Sequence, residues 1–249
     1  MLRRRSLTEL ANNPDLIDGI YNYCDRWCER CPFTSRCLVY ATEADEEVSV
    51  KEQDVANAAF WRELDSVLQE TLPLIPKWAT ASGFDLTSLQ DASRKRKRQQ
   101  VDNHPLVLTA KKYAHSASDW FRQVDAEQTS DPSSQPNEKI NTARDVIQWY
   151  QYQIAVKTMR ALSGRKEEFD LDTETSDSPK DSDGSAKVAL IGIDRSIAAW
   201  RLMQLGAPES ATSIVPLILQ LARLRNRTES EFPEARKYIR PGFDEVRAS

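Results

Sequence analysis

Glycine, histidine and cysteine are all scarce in this chain, with only 7, 2 and 4 copies among 249 residues. Too few glycines remain to build a phosphate loop or a dinucleotide fingerprint, and neither G-x-x-x-x-G-K nor G-x-G-x-x-G occurs. Neither histidine, His104 or His115, has a glutamate three positions before it. That removes a di-iron carboxylate bundle, which needs two Glu-x-x-His pairs. His104 precedes Pro105 and is expected to cap a helix, and His115 is expected to form an exposed pair with Asp119. No apolar run approaches the roughly 20 residues that span a bilayer, so no membrane partner is expected. Alternating apolar and polar positions bounded by turn residues are also missing, which argues against a sheet.

The amino terminus, Met1-Leu2-Arg3-Arg4-Arg5, has the charge of a signal peptide but not its apolar core, because Ser6, Thr8, Glu9, Asn12 and Asn13 follow. The expected location is the reducing cytoplasm, where clustered cysteines serve metals more often than disulfides. Net charge is -4. Eight acidic residues lie between Lys166 and Asp183 against Lys166 and Lys180, so the rest of the chain is close to neutral. Nucleic acid is therefore not an expected partner. The basic run Arg94 to Arg98 reads as a solvated helix or loop.

What remains is helical pattern. Asn13 and Pro14 suit the start of a helix running to Cys31, where Pro32 stops it. Apolar residues at three-and-four spacing predict further helices over 51–72, 105–124 and 139–164, the last capped by Gly164. A nearly all-apolar helix follows from about 184 to 206, and a last one covers 208–231 with Pro216 inside it. The fold class expected is all-α, an antiparallel helical bundle of four to five long helices with an N-terminal four-cysteine metal-binding helix-turn. The division expected is 1–41 as the cysteine segment and 42–249 as the bundle, with a disordered acidic insertion at 165–183. Tyr238, Ile239 and Phe243 in the tail are expected to dock back on the body.

All four cysteines fall in Cys24-x3-Cys28-x2-Cys31-x5-Cys37. On a helix, Cys24, Cys28 and Cys31 share one face with neighbouring Cβ atoms roughly 5–6 Å apart. After Pro32, the residues PFTSR can turn the chain so that Cys37 closes the set. Four thiolates on one Zn²⁺ must lie within roughly 4 Å of one another, whereas a cubane cluster spreads its ligands over separate irons. An iron–sulfur cluster ([4Fe-4S]) is thus the expected cofactor, with Zn the alternative and ordinary buried free cysteines the third reading. Arg26, Arg30 and Arg36 alternate with the cysteines and would offset the negative charge of such a centre.

The stretch CERCPFTSRC, Cys28 to Cys37, resembles the C-x2-C-x5-C segment that helps bind a [4Fe-4S] cluster in CRISPR-associated and helicase-linked exonucleases. The resemblance spans ten residues and implies cluster ligation by Cys28, Cys31 and Cys37. It implies no nuclease activity here, since those families place the fourth cysteine far upstream and a carboxylate–lysine site on a mixed sheet. The first three cysteines also share the C-x3-C-x2-C spacing of radical-SAM enzymes, but Arg30 stands where that family has an aromatic residue.

A second set of residues carries interest: Lys187, Asp194 and Arg195 in one apolar helix, and Asp145, Lys157 and Arg160 in the helix before it. Charges in central helices must pair with one another or face a polar cavity. Three functions stay open: a metal-centred binding or redox protein, an enzyme with a polar pocket between the central helices, and an interaction module whose acidic stretch recruits a protein partner.

Overall fold

A computed structural model describes residues 13–45, 77, 98–128, 138–170, 180–206 and 210–245. The expected helix over 51–72 and most of the basic run lie outside the described residues. The long elements are α1 (Leu38–Asp45), α2 (Pro105–Gln128), α3 (Glu138–Asp170), α4 (Asp181–Gly206) and α5 (Ala211–Glu231). Among the described residues there is no strand, and the chain is all-α as expected.

The chain falls into two compact units that cut across the expected boundary at residue 41. One comprises Met1–Leu16 with Thr34–Gln99, and the other Ile17–Phe33 with Gln100–Ser249. In the first, a single 3-10 turn at Thr34–Arg36 leads into α1, and Arg36 Nε donates to the carbonyl of Asp15 at 3.1 Å.

The second unit contains the four long helices. α2 begins where Pro105 supplies a preset φ, and His104 caps it by accepting the N–H of Leu106 on Nδ1 at 3.3 Å. Its stripe Leu106, Ala110, Tyr113, Ala117, Trp120 and Phe121 is buried. Along α3 the buried residues are Ala143, Ile147, Tyr150, Ile154, Ala161 and Leu162, whereas Val156, expected in the band, is exposed. α3 pairs with α4, α4 with α5, α5 with α2 and α2 with α3, so the four helices close a ring. Trp200 of α4 fills the middle: its indole donates to the Tyr113 hydroxyl at 3.0 Å and its ring packs on Trp120 and Phe121.

The α3–α4 pair is antiparallel, because Gly206 faces Ile140, Gly192 faces Tyr150 and Ile154, and Gly164 faces the backbone of Ser182. α2 also runs against α3, with Ser118 bonded to Gln151 and Asp125 to Arg144. It runs against α5 as well, with Trp120 bonded to Ser213 and Thr109 to Arg227. Pro216 lies in the second turn of α5 on its exposed side. The carbonyl it leaves without a donor, four positions back at Thr212, belongs to an exposed residue and can be hydrated.

Two expectations about α3 and α4 are corrected. Gly164 does not end α3, which continues to Asp170, and α4 begins at Asp181, so the acidic stretch 165–183 is helical at both ends. Good helix formers, Arg165 to Glu168, follow Gly164 and outweigh its roughly 1 kcal/mol penalty. Asp181 and Asp183 sit in the first turn of α4, where the helix dipole favours carboxylates.

Candidate metal centre

The expected helix from Pro14 to Cys31 is replaced by a series of single turns. Asn13 does cap locally, accepting the N–H of Asp15 on Oδ1 at 3.0 Å, but Gly19 then adopts φ 67° and breaks the helical path. One 3-10 turn spans Ile20–Asn22 and another Cys28–Arg30. Between them Arg26 is left-handed at φ 58°, the sole non-glycine residue with positive φ among those described. Such a conformation is disfavoured for a side chain with a Cβ and persists only where surroundings impose it.

The imposing groups come from α3 and α4. Trp149 Nε1 and Gln153 Nε2 both donate to the backbone carbonyl of Asp25, the former at 2.8 Å. The Asp25 carboxylate accepts from the Tyr150 hydroxyl and from Arg195 at 2.7 Å, and its other oxygen accepts the N–H of Trp27 at 3.3 Å. Burial pushes the Tyr150 hydroxyl far above its ordinary range, with the Asp25 hydrogen bond adding to the effect. Trp27 stacks on Trp149 with ring centres 5.0 Å apart, and the Arg30 guanidinium lies over the Trp27 ring. One turn earlier, Lys157 Nζ and Arg160 both donate to the carbonyl of Asn22, at 3.0 and 3.3 Å.

The cysteine stripe is therefore not helical. Cys24 stands before the left-handed residue, Cys28 opens a 3-10 turn, and Cys31 follows it in extended backbone, donating its N–H to the Cys28 carbonyl at 3.1 Å. Cys37 belongs to the first unit and precedes α1, where its carbonyl accepts the N–H of Ala41 at 3.0 Å. None of the four cysteines forms a disulfide, and all are partly buried. Among the described residues no three His, Cys, Asp or Glu side chains are gathered closely enough to hold a metal ion.

Two of the sulfurs bond to nearby backbone in opposite senses: Cys31 Sγ accepts the N–H of Phe33 at 3.4 Å, and the Cys24 thiol donates to the Tyr21 carbonyl at 3.5 Å. Burial raises the Cys24 thiol above its usual range, opposed by the Arg26 backbone and by the charges of Lys157 and Arg26. Burial likewise lowers Lys157, with Cys24 the strongest opposing influence.

Among the described residues, the charges singled out on the central helices do not pair with one another. Asp145 holds Arg30 at 3.2 Å, Arg160 reaches Asp181 at 3.1 Å as well as Asn22, and Arg195 takes Asp25. Lys187 holds Asp244 at 2.8 Å and the Tyr238 carbonyl at 2.5 Å, while Asp194 holds Arg236 at 2.7 Å. These groups are docking points for the cysteine segment and the carboxy-terminal tail. The tail meets that segment directly: Tyr238 packs on Tyr23, Phe243 on Phe33, and Gly242 lies against Ile17 and Ile20. Ile239, expected to dock, is exposed. His115 is exposed, and Asp119 pairs with Arg122 instead.

Sequence reasoning missed Asp25 and the α3 face that receives it. The signal lay in Trp149, Gln153, Lys157 and Arg160, which recur near helical spacing beside the buried apolar stripe of the same helix. No protein-family model, curated protein or solved structure matches the chain. No described helix is long and apolar enough to cross a membrane.

Proposed function

We propose that this protein binds a metal centre through Cys24, Cys28, Cys31 and Cys37, either a [4Fe-4S] cluster or zinc, in a structural or redox role. The gathering of all four cysteines of the chain between Cys24 and Cys37 carries this reading. Backbone N–H groups aimed at sulfur stabilise thiolates and tune metal–thiolate centres, and Cys31 Sγ accepts one from Phe33 at 3.4 Å. Arg26 and Arg30 lie within the segment and Lys157 donates to its Asn22 carbonyl, cations that would offset part of the charge of a net-anionic centre. Cys37 joins the set by its spacing in the sequence.

The metal-free segment consists of single turns fixed mainly by hydrogen bonds to α3 and α4, so bringing sulfurs together requires adjusting turns and no helix unwinding. Metal binding would then supply order that the segment's own small apolar content does not, since Ile20 is its sole fully buried residue. Anaerobic purification followed by metal analysis tests the proposal. Brown protein with about four irons per chain identifies the cluster, and colourless protein with about one zinc identifies the alternative. Protein that takes up neither under reducing conditions refutes both.

A further inference from the structure

Between the last turns of α4 and the first turns of α5 lies a groove of about 320 Å³, lined by Arg201, Gln204, Leu205, Val215, Ile218 and Leu219. Leu205 is 79% exposed, and Leu202 and Leu219 are each 49% exposed. A single surface leucine is ordinary, but apolar residues that adjoin one another around a concavity mark a contact surface. The four-helix ring does not use them. The buried stripe of α5 is Ile214, Leu217, Leu221, Leu224 and Thr228, and both Val215 and Leu219 stand outside it.

The groove is edged with positive charge. Arg201 lines it, and Arg223 follows Leu219 by one turn, so Val215, Leu219 and Arg223 form a row of roughly 12 Å along α5. Among the described residues neither arginine has an ion pair, whereas Arg225 on the same helix pairs with Asp194 at 3.7 Å. An apolar row about two turns long, with unneutralised guanidiniums at its edge, is complementary to a helix that carries leucine-type residues on one face and carboxylates beside them. We infer that the α4–α5 groove docks an acidic amphipathic helix of a partner protein. Charge selects this occupant over a second copy of the chain. On α4 and α5, Asp181 is bonded to Arg160, Asp194 and Glu229 to Arg236, and Glu231 to Arg165, while Asp183 lies in the first turn of α4, far from Leu205. Packing this face on its own copy would bring the arginines of both copies together with no carboxylate to offset them.

Fluorescence anisotropy of the full chain with two labelled, helix-stapled peptides of about 14 residues tests this. Both peptides carry leucine at i, i+4 and i+7; glutamates flank the leucines in one and lysines in the other. The glutamate peptide is expected to bind at least about tenfold tighter, against the chain's own net charge of -4. Leu219→Asp is expected to weaken that binding at least about tenfold while helix content is retained. Arg201→Glu combined with Arg223→Glu is expected to reverse the preference toward the lysine peptide. Should Leu219→Asp lose its helical signal, Leu205→Asp, at the more exposed position, carries the same comparison. A glutamate peptide that does not bind, that binds no tighter than the lysine peptide, or that tolerates Leu219→Asp within about twofold overturns the inference. A wild-type dimer by light scattering that Leu219→Asp converts to monomer also overturns it, because the groove then holds a second copy.

Discussion

Lys157, buried within α3, donates to the backbone carbonyl of Asn22 at 3.0 Å across 135 positions of sequence. Two residues on from Asn22 stands Cys24, so the lysine ties the backbone beside that cysteine to α3. Its neighbour on the same face, Arg160, reaches the same carbonyl and adds Asp181 at the start of α4. The cysteine segment is thus tied to the seam where α3 and α4 meet.

The bundle's stability rests on its apolar interior and not on these polar ties. Leu224 and Trp200 are fully buried. Leu224→Ala is expected to cost about 2–5 kcal/mol, the range for emptying a well-packed leucine site, read as a lower urea midpoint. Metal content per folded chain should be unchanged, since Leu224 is on α5 and makes no part of the cysteine segment.

Gly184 and Gly206 make a paired test of packing on α4. A Cβ at Gly184 would lie 2.4 Å from the Tyr23 ring and 2.7 Å from the Tyr238 ring, both rigid aromatic groups. Gly184→Ala should therefore destabilise by about 1–3 kcal/mol despite the better helix propensity of alanine. At Gly206 the nearest atom is the terminal methyl of Ile140, which can rotate away. Gly206→Ala should stay within about 1 kcal/mol of neutral by the same measurement.

How much of this was readable in advance differs by element. α2 and α3 were legible because Leu106, Tyr113 and Trp120, and Ile147, Tyr150 and Ile154, recur at helical spacing, a pattern that depends only on which face is buried. The end of α3 was not, because a glycine signals a cap only when the chain leaves the helix there, and Gly164 faces the α4 backbone instead. The cysteine positions were legible as a cluster but not as a geometry. A regular helix there would have satisfied the local pattern, and it loses to contacts from Trp149, Tyr150, Gln153 and Arg195, all more than a hundred positions away. Local spacing cannot encode a conformation imposed from that distance.

Acid should loosen the tail first. Burial disfavours ionised Asp244, but hydrogen bonds from Arg240 and Lys187 outweigh it and hold the carboxyl well below its ordinary range. A carboxyl depressed in the folded state stabilises at pH above its unfolded value, near about 4, and that contribution fades as pH falls toward the folded value. Fluorescence of the Tyr238 and Phe243 region, or hydrogen exchange over 238–245, should show opening below about pH 4. In Asp244→Asn the acid-dependent part of that opening should vanish, leaving a tail already looser at neutral pH.

Removing the tail should release the cysteine segment while the four helices persist. Phe232 and Ala235 are buried, Tyr238 covers Tyr23, Phe243 meets Phe33, and Gly242 touches Ile17 and Ile20. A chain ending at Glu231 keeps every helix-to-helix contact of the ring but strips these covers from residues 17–33. Hydrogen exchange over 17–33 is expected to accelerate at least tenfold, with exchange in the middle of α3 and α4 changing far less. Added metal should restore part of the protection, because an ion that binds only the ordered segment shifts its equilibrium by mass action. Equal acceleration throughout α4 would instead make the tail a general support of the bundle and remove its special tie to the cysteines.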